Sequence, residues 1–192
     1  MNGDPRSPDG LGVDPGLLGL WDPLGFCDDL DSFPRRRAVE IKHGRICMMA
    51  FLGMAVQELG WHWGGTIDLA HEKPFENILD DGMGFPALAN IPFFGWVQIF
   101  LFCGIAELIA MPQFNNYTGG PQNLPGGFDG SNGFIPGGYP FVMQIEDVDE
   151  RDRKLNIEIQ NGRAAMLGVT GAMMHSCLDS CDHHFFYPIT HS

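Results

Sequence analysis

The sequence predicts an all-α membrane protein of three transmembrane helices, the first and third related by a pseudo-twofold repeat. Three observations carry that expectation. One is a duplication: Glu40-Ile-Lys-His43-Gly44-Arg45 returns at a constant offset as Glu158-Ile-Gln-Asn161-Gly162-Arg163, and the register runs on to Met48/Met166 and Gly53/Gly171. Each copy puts an acid, an imidazole or amide, a glycine and an arginine ahead of a small, Met-rich apolar run. Another is that the two copies can answer each other's charges, Glu40 with Arg163 and Glu158 with Arg45. Reciprocal pairing of that kind lets charged residues persist in an apolar interior. The last is punctuation, since Pro and Gly bound the apolar segments and fill the stretches between them.

Taken in order, Met1–Pro34 is turn-rich and acidic and contains Trp21-Asp22-Pro23-Leu24-Gly25-Phe26. The first helix is predicted over about 35–59, with Pro34 as its start and Gly60 as its stop. Gly60–Asn90 reads as an aromatic and acidic loop with Trp61, Trp63 and the pair Asp80-Asp81. The second helix is predicted over 92–111, opened by Pro92 in its first turn and ended by Pro112. Asn115–Tyr139 is a Gly/Pro/Asn segment without regular periodicity. The third helix is predicted over about 149–178, followed by a short tail rich in His and aromatics. All 192 residues are read as a single domain.

Composition alone points elsewhere. A hydrophobic content of 44% and a mean hydropathy of −0.05 suit an ordinary soluble protein. The 26 glycines and 14 prolines explain this, because they cluster in polar connections that dilute an apolar minority. The uncharged runs Ile46–Gln57 and Ala164–Leu178 fall short of the ~20 residues that a bilayer core requires. Mutual neutralisation of Glu40, Arg45, Glu158 and Arg163 would extend both runs through their charged turns. Arg35, Arg36, Arg37, Arg151, Arg153 and Lys154 flank the starts of helices one and three, whereas the loop after helix one has only Lys73. Three spans place both basic starts on one side, as the positive-inside rule expects. The net charge of −13 excludes a nucleic-acid partner, which requires a basic face. Met1–Asp14 has no basic region followed by an apolar core, so no targeting peptide is expected there.

The doubled motif and the Trp-Asp-Pro-Leu-Gly turn resemble the light-harvesting chlorophyll-binding protein superfamily, of the chlorophyll a/c type found in fucoxanthin– and peridinin–chlorophyll a/c antenna proteins. The resemblance covers most of residues 17–178. It implies two long crossed helices joined by reciprocal Glu–Arg pairs, two carotenoids in the grooves of that cross, and a shorter helix alongside. It further implies a multi-pass protein of the plastid thylakoid membrane that is not an enzyme. Its cofactors would be chlorophyll a, chlorophyll c and carotenoids of fucoxanthin or peridinin type, with a diadinoxanthin-like companion. Its partners would be a photosystem core, neighbouring antenna subunits and thylakoid lipids. The turn at Trp21, Asp22, Pro23 and Leu24 would sit against a carotenoid headgroup. The second repeat departs from the pattern, since Phe128-Asp129-Gly130 falls in a connection of different length.

Chlorophyll magnesium is a hard cation that takes one axial oxygen or imidazole nitrogen. Glu40 and His43 share a helix face and are candidates to hold neighbouring pigments, and Glu158 and Asn161 repeat the arrangement. Each glutamate would place one oxygen on magnesium and the other on its arginine. The same offset links Gln57 to His175. His175 lies in an apolar, Met-rich turn and is a ligand candidate, although the family more often carries glutamine there. Gln57 sits beside Glu58 near the helix end, where capping into water is the alternative. On the middle helix, Glu107 is a candidate ligand because no arginine is at hand on that helix to neutralise it. Gln98 serves either as a ligand or as a hydrogen-bond donor to a pigment carbonyl or a neighbouring helix. Gly44, Gly53, Gly162, Gly168 and Gly171 would permit close helix approach or leave flat grooves.

Two other functions compete. A stress-type relative of the same fold would dissipate excitation as heat, with Asp68, Glu72, Glu76, Asp80 and Asp81 sensing acidification. A soluble helical metal-binding protein would use Cys177, Cys181, His183 and His184, although their spacing lacks the paired C-x-x-C geometry of structural zinc sites. A helical four-residue spacing of Cys177 and Cys181 also suits free thiols better than a bridge.

Overall fold

The computed structural model describes residues 11–12, 22–26, 33–67, 73–78, 84–106 and 147–177. Four α-helices lie in these segments: α1 (Phe33–Glu58), α2 (Phe85–Ala89), α3 (Phe93–Ile105) and α4 (Val148–Ser176). A 3-10 turn covers Glu76–Ile78, and an isolated antiparallel bridge joins Thr66 to Pro74. No strand occurs among the described residues.

The long helices begin and end where local chemistry dictates. At the end of α1, Gly60 takes φ of 76°, a left-handed conformation that glycine adopts without a Cβ penalty. Its N–H donates to Gln57 O at 2.9 Å while Trp61 N–H reaches Val56 O at 3.3 Å, the paired bonds of a Schellman cap. At the start of α4, Asp147 Oδ1 accepts from Asp149 N–H at 3.1 Å, and Asp149 and Glu150 place negative charge at the positive end of the helix dipole. Pro92 precedes α3, and Trp96 N–H bonds back to Pro92 O at 3.1 Å. The segment read as a loop between helices one and two contains α2, a single turn of five residues with proline in its first turn. So short a run is invisible to hydrophobic periodicity, and its Asn90 side chain ties it back to Ile78 O at 3.2 Å. The predicted end of helix two, from 107 onward, lies outside the described residues.

The chain forms two compact units, each drawing on both long helices. The first comprises residues 1–45 and 106–164, and the second 46–105 and 165–192. In the first unit, α1 and α4 meet backbone to backbone at the repeated glycines. A Cβ on Gly44 would lie 2.9 Å from Gly162 Cα, and a Cβ on Gly162 would lie 3.0 Å from Gly44 Cα. Leu11, Ile41, Leu155 and Ile159 form the buried apolar cluster of this unit. In the second unit, Met54 and Ala172 are buried together, with Val169 and Met173 packed against them. Gly168 is in ordinary contact with the Phe51 ring.

Among the described residues no helix is long and apolar enough to cross a membrane. Yet the helix surfaces are strongly apolar where they are exposed. Ile46, Met49 and Leu52 on α1, Phe93, Phe100, Leu101 and Phe102 on α3, and Leu167 and Met174 on α4 all face outward. Apolar exposure on that scale marks a surface that works against something other than water.

The glycine contact can be tested against an internal control. Gly44→Ala and Gly162→Ala should each destabilise the folded protein by about 1–3 kcal/mol, because the added methyl must push two backbones apart. Gly53→Ala and Gly171→Ala, whose Cβ positions meet nothing within 4 Å, should be neutral or gain up to about 1 kcal/mol of helix propensity. Thermal unfolding followed by circular dichroism ranks the four variants.

Candidate pigment-binding site

Reciprocal ion pairs flank the Gly44–Gly162 contact. Arg45 Nε donates to Glu158 Oε1 at 2.6 Å, and Arg163 Nε donates to Glu40 Oε1 at 2.6 Å. The close glycine contact sets each guanidinium alongside the opposite helix. The carboxylates are about a quarter exposed, at 26% for Glu40 and 28% for Glu158. Loss of one partner is therefore worth about 1–3 kcal/mol, less than the figure for a fully buried pair.

Two further groups complete the centre. Arg37 is 4% exposed and donates from one terminal nitrogen to Glu40 Oε2 and from the other to Leu11 O at 2.8 Å. Its guanidinium also lies 5.2 Å from the centre of the Phe33 ring. The chain at Leu11–Gly12 is held from both helices: Arg163 donates to Gly12 O at 2.6 Å, and Gly12 N–H donates to Asn156 Oδ1 at 2.7 Å. Asn156 is in turn oriented by its own bond to Asp152 O at 3.0 Å. Leu11, Gly12, Arg37 and Asn156 were not singled out from the sequence for this role. In the sequence Arg37 reads only as part of a basic flank. The one available signal for it was its position one helical turn before Glu40.

The candidate ligands fall at several places. His43 is exposed on the face of α1, and its Nδ1 lies 2.8 Å from Val39 O. A carbonyl at that distance requires Nδ1 to carry the proton, so in the neutral ring the lone pair is on Nε2. Asn161 is exposed at the equivalent position of α4. The donor set fits the axial needs of a tetrapyrrole magnesium: an imidazole, a primary amide and charge-compensated carboxylates. Gln98 Nε2 donates to Ile67 O and Phe94 O, both at 3.2 Å, so the amide ties α3 to the preceding segment through its nitrogen and retains its oxygen as an acceptor. Gln57 is exposed in the last turn of α1 and lines a cavity of about 620 Å³ in the second unit, with Met54, Trp61, Trp63, Leu88 and Met173. His175 is half-buried in the last turn of α4.

Asp22, Pro23 and Leu24 form a turn. Asp22 O accepts from Gly25 N–H at 3.4 Å, and Asp22 Oδ1 accepts from Phe26 N–H at 3.0 Å. Leu24 projects outward at 73% exposure. Trp21, Glu107, Cys181, His183 and His184 lie outside the described residues, as do Asp68, Glu72, Asp80 and Asp81. Cys177 is a free, exposed thiol that bonds to Met173 O, and no group of three or more metal-ligating side chains occurs among the described residues.

Known proteins share this sequence over most of its length. A family model described as chlorophyll A-B binding protein matches residues 5–177. A fucoxanthin-chlorophyll a-c binding protein B, chloroplastic, of Phaeodactylum tricornutum is 41% identical over 163 residues, spanning 84% of this chain and 75% of the relative. A chloroplastic fucoxanthin-chlorophyll a-c binding protein of Trieres chinensis is 39% identical over 170 residues, spanning 88% and 78%. Fucoxanthin-chlorophyll a-c binding protein F, chloroplastic, of Macrocystis pyrifera is 37% identical over 167 residues, spanning 85% and 72%.

The hold on Leu11–Gly12 gives a direct test. Gly12 has φ of 70°, and a Cβ there would lie 2.9 Å from a terminal nitrogen of Arg163. Gly12→Ala should therefore cost about 1–2 kcal/mol in left-handed strain alone. Asn156→Ala, which leaves Gly12 N–H without its acceptor, should cost about 1–3 kcal/mol. Both variants should accelerate limited proteolysis of the segment before residue 33, relative to the parent protein.

Proposed function

The chain belongs to the chlorophyll a-b binding protein family, and from that we propose that it is a light-harvesting antenna protein of the thylakoid membrane, binding chlorophyll a, chlorophyll c and a fucoxanthin-type carotenoid. One observation carries the reading of the site. The two reciprocal Glu–Arg pairs neutralise four charges around a glycine contact and leave His43 and Asn161 outward at equivalent positions of the repeat. Bound chlorophylls and carotenoids supply the absorption of light and the passage of excitation, with no chemical step for the protein to catalyse.

The chain's own residues fix where pigments sit and how they are turned. His43 would offer Nε2 as an axial ligand, its ring orientation set by the Nδ1–H bond to Val39 O. Asn161 would offer its amide oxygen. Glu40 and Glu158 would offer carboxylate oxygens whose charge the arginines compensate, so that neither adds an unpaired negative charge to an apolar surface. Gln57, Gln98, Glu107 and His175 are proposed as further ligands, with Gln98 limited to its amide oxygen by the bonds of its nitrogen. The turn at Trp21–Leu24 would meet a carotenoid headgroup. The domain is taken as one light-harvesting unit over the whole chain, supported by a single family model running from 5 to 177.

Three spans through the thylakoid membrane are part of the proposal. Helix α1 has 26 residues and is about 39 Å long at ~1.5 Å per residue, against a hydrocarbon core of about 30 Å. Its mean hydropathy is lowered by charges that the helix pair neutralises internally. Exposed Arg35 and Arg36 stand at one end, and exposed Trp61 and Trp63 follow the other, as interfacial anchors do. A photosystem core, neighbouring antenna subunits and thylakoid lipids are the proposed surroundings for the outward apolar side chains.

Refolding the protein with a chlorophyll and carotenoid extract tests the function. A pigmented monomeric or oligomeric species with excitation transfer from carotenoid to chlorophyll is expected, and protein that stays colourless contradicts the reading. Within that system, His43→Leu and Asn161→Leu should each lose a discrete part of the chlorophyll while retaining helix content. Unchanged pigment-to-protein ratios in both would remove them from the ligand set. Topology is checked in sealed thylakoids, where added protease should cut the N-terminal segment and spare Gly60–Asn90 until the membranes are opened.

A further inference from the structure

The repeat is broken at Arg37, beside one of its two carboxylates. The offset that carries Glu40 to Glu158 carries Arg37 to Leu155, and both Arg37 and Leu155 are buried. Glu40 consequently faces two guanidinium groups, with Arg163 on Oε1 and Arg37 on Oε2. Glu158 has Arg45 on Oε1 as its ion-pair partner among the described residues. The two carboxylates hold the same place in the repeat, yet their surroundings differ by one positive charge and one engaged oxygen. Arg37 is also not free to swing away. Its other terminal nitrogen is bonded to Leu11 O, and Phe33 lies against its guanidinium face.

We infer that Arg37 is a positioning residue for Glu40, one that makes the two glutamate pigment sites unequal. It fixes the plane of the Glu40 carboxylate from the side opposite Arg163. It also draws electron density from that carboxylate, as hydrogen-bonded outer groups do when they adjust a metal ligand. Glu158, with one guanidinium, is held through Oε1 alone, by Arg45. A carboxylate offers about four lone-pair directions, so Oε2 of Glu40 retains one for a magnesium while Arg37 occupies another. The pigment bound at Glu40 therefore meets a weaker donor and an excess positive charge, and its absorption differs from that of the pigment at Glu158. This inference rests on the light-harvesting reading.

The test compares refolded parent protein with Arg37→Gln, Arg37→Lys, Glu40→Gln and the double variant Arg37→Gln/Glu40→Gln, all with the same chlorophyll and carotenoid extract. Low-temperature absorption is read per chlorophyll retained, together with pigment stoichiometry. Arg37→Gln should displace or remove one chlorophyll's share of the red band. Arg37→Lys, which retains the charge, should return most of that share to its original place. The double variant should match Glu40→Gln alone, because Arg37 acts through the carboxylate. An unchanged spectrum and stoichiometry in Arg37→Gln would overturn the inference. So would additive effects in the double variant, or a general loss of pigment in Arg37→Gln that Arg37→Lys does not repair, which would make Arg37 a residue of the fold alone. If the parent protein itself takes up no chlorophyll, the light-harvesting reading fails instead.

Discussion

A carboxylate among apolar helices persists where a cation is held against it, and a close approach of two backbones brings a guanidinium on one helix alongside the carboxylate of the other. Those two conditions meet at Gly44 and Gly162. The glycines bring the chains to a separation that a methyl group would violate, and Arg45 and Arg163 use that proximity to reach Glu158 and Glu40 at 2.6 Å each. Neither feature suffices alone. Without the pairs Glu158 would lose its guanidinium and Glu40 one of its two, and without the glycines the two helices would stand further apart. The candidate ligands His43 and Asn161 inherit their positions from this arrangement, because each sits one residue before a contact glycine.

The same centre bears on the hydropathy of these helices. A window average counts Glu40, Arg45, Glu158 and Arg163 as though each charge were presented to solvent or lipid separately. In the structure they are consumed in pairs, and the outward faces of α1, α3 and α4 carry Ile, Leu, Met and Phe. Among the described residues no helix is long and apolar enough to cross a membrane, and these charges contribute to that result. Exposed apolar side chains on several helices are a cost in water and an asset against pigment or lipid.

Much of the helical framework was legible in the sequence because its signals are local. Gly60 ends α1 through the φ that only glycine adopts easily, and Pro92 marks the start of α3. The reciprocal pairs were legible because the repeat names both partners at once. Three things were not legible. The one-turn helix α2 is too short to show a period. The hold of Leu11–Gly12 on the helix pair depends on backbone carbonyls and a backbone N–H, which every residue possesses and no side-chain pattern announces. The second clamp on Glu40 was hidden in a run of three arginines, where charge flanking a helix is the ordinary explanation and only the tertiary fold distinguishes Arg37 from Arg35 and Arg36. Gln98 shows a related limit. Its type was informative, but whether its amide faces a pigment or a neighbouring carbonyl depended on where Ile67 lies.

Exchange of charge across one pair tests the central claim most directly. Arg45→Glu and Glu158→Arg should each set like charges against one another at the glycine contact and lower the thermal stability of the refolded protein. The double variant, with the charges exchanged, should recover a large part of that loss, giving a coupling energy of about 1–3 kcal/mol between the two positions. Losses that simply add in the double variant would show that Arg45 and Glu158 do not pair, and would contradict the account.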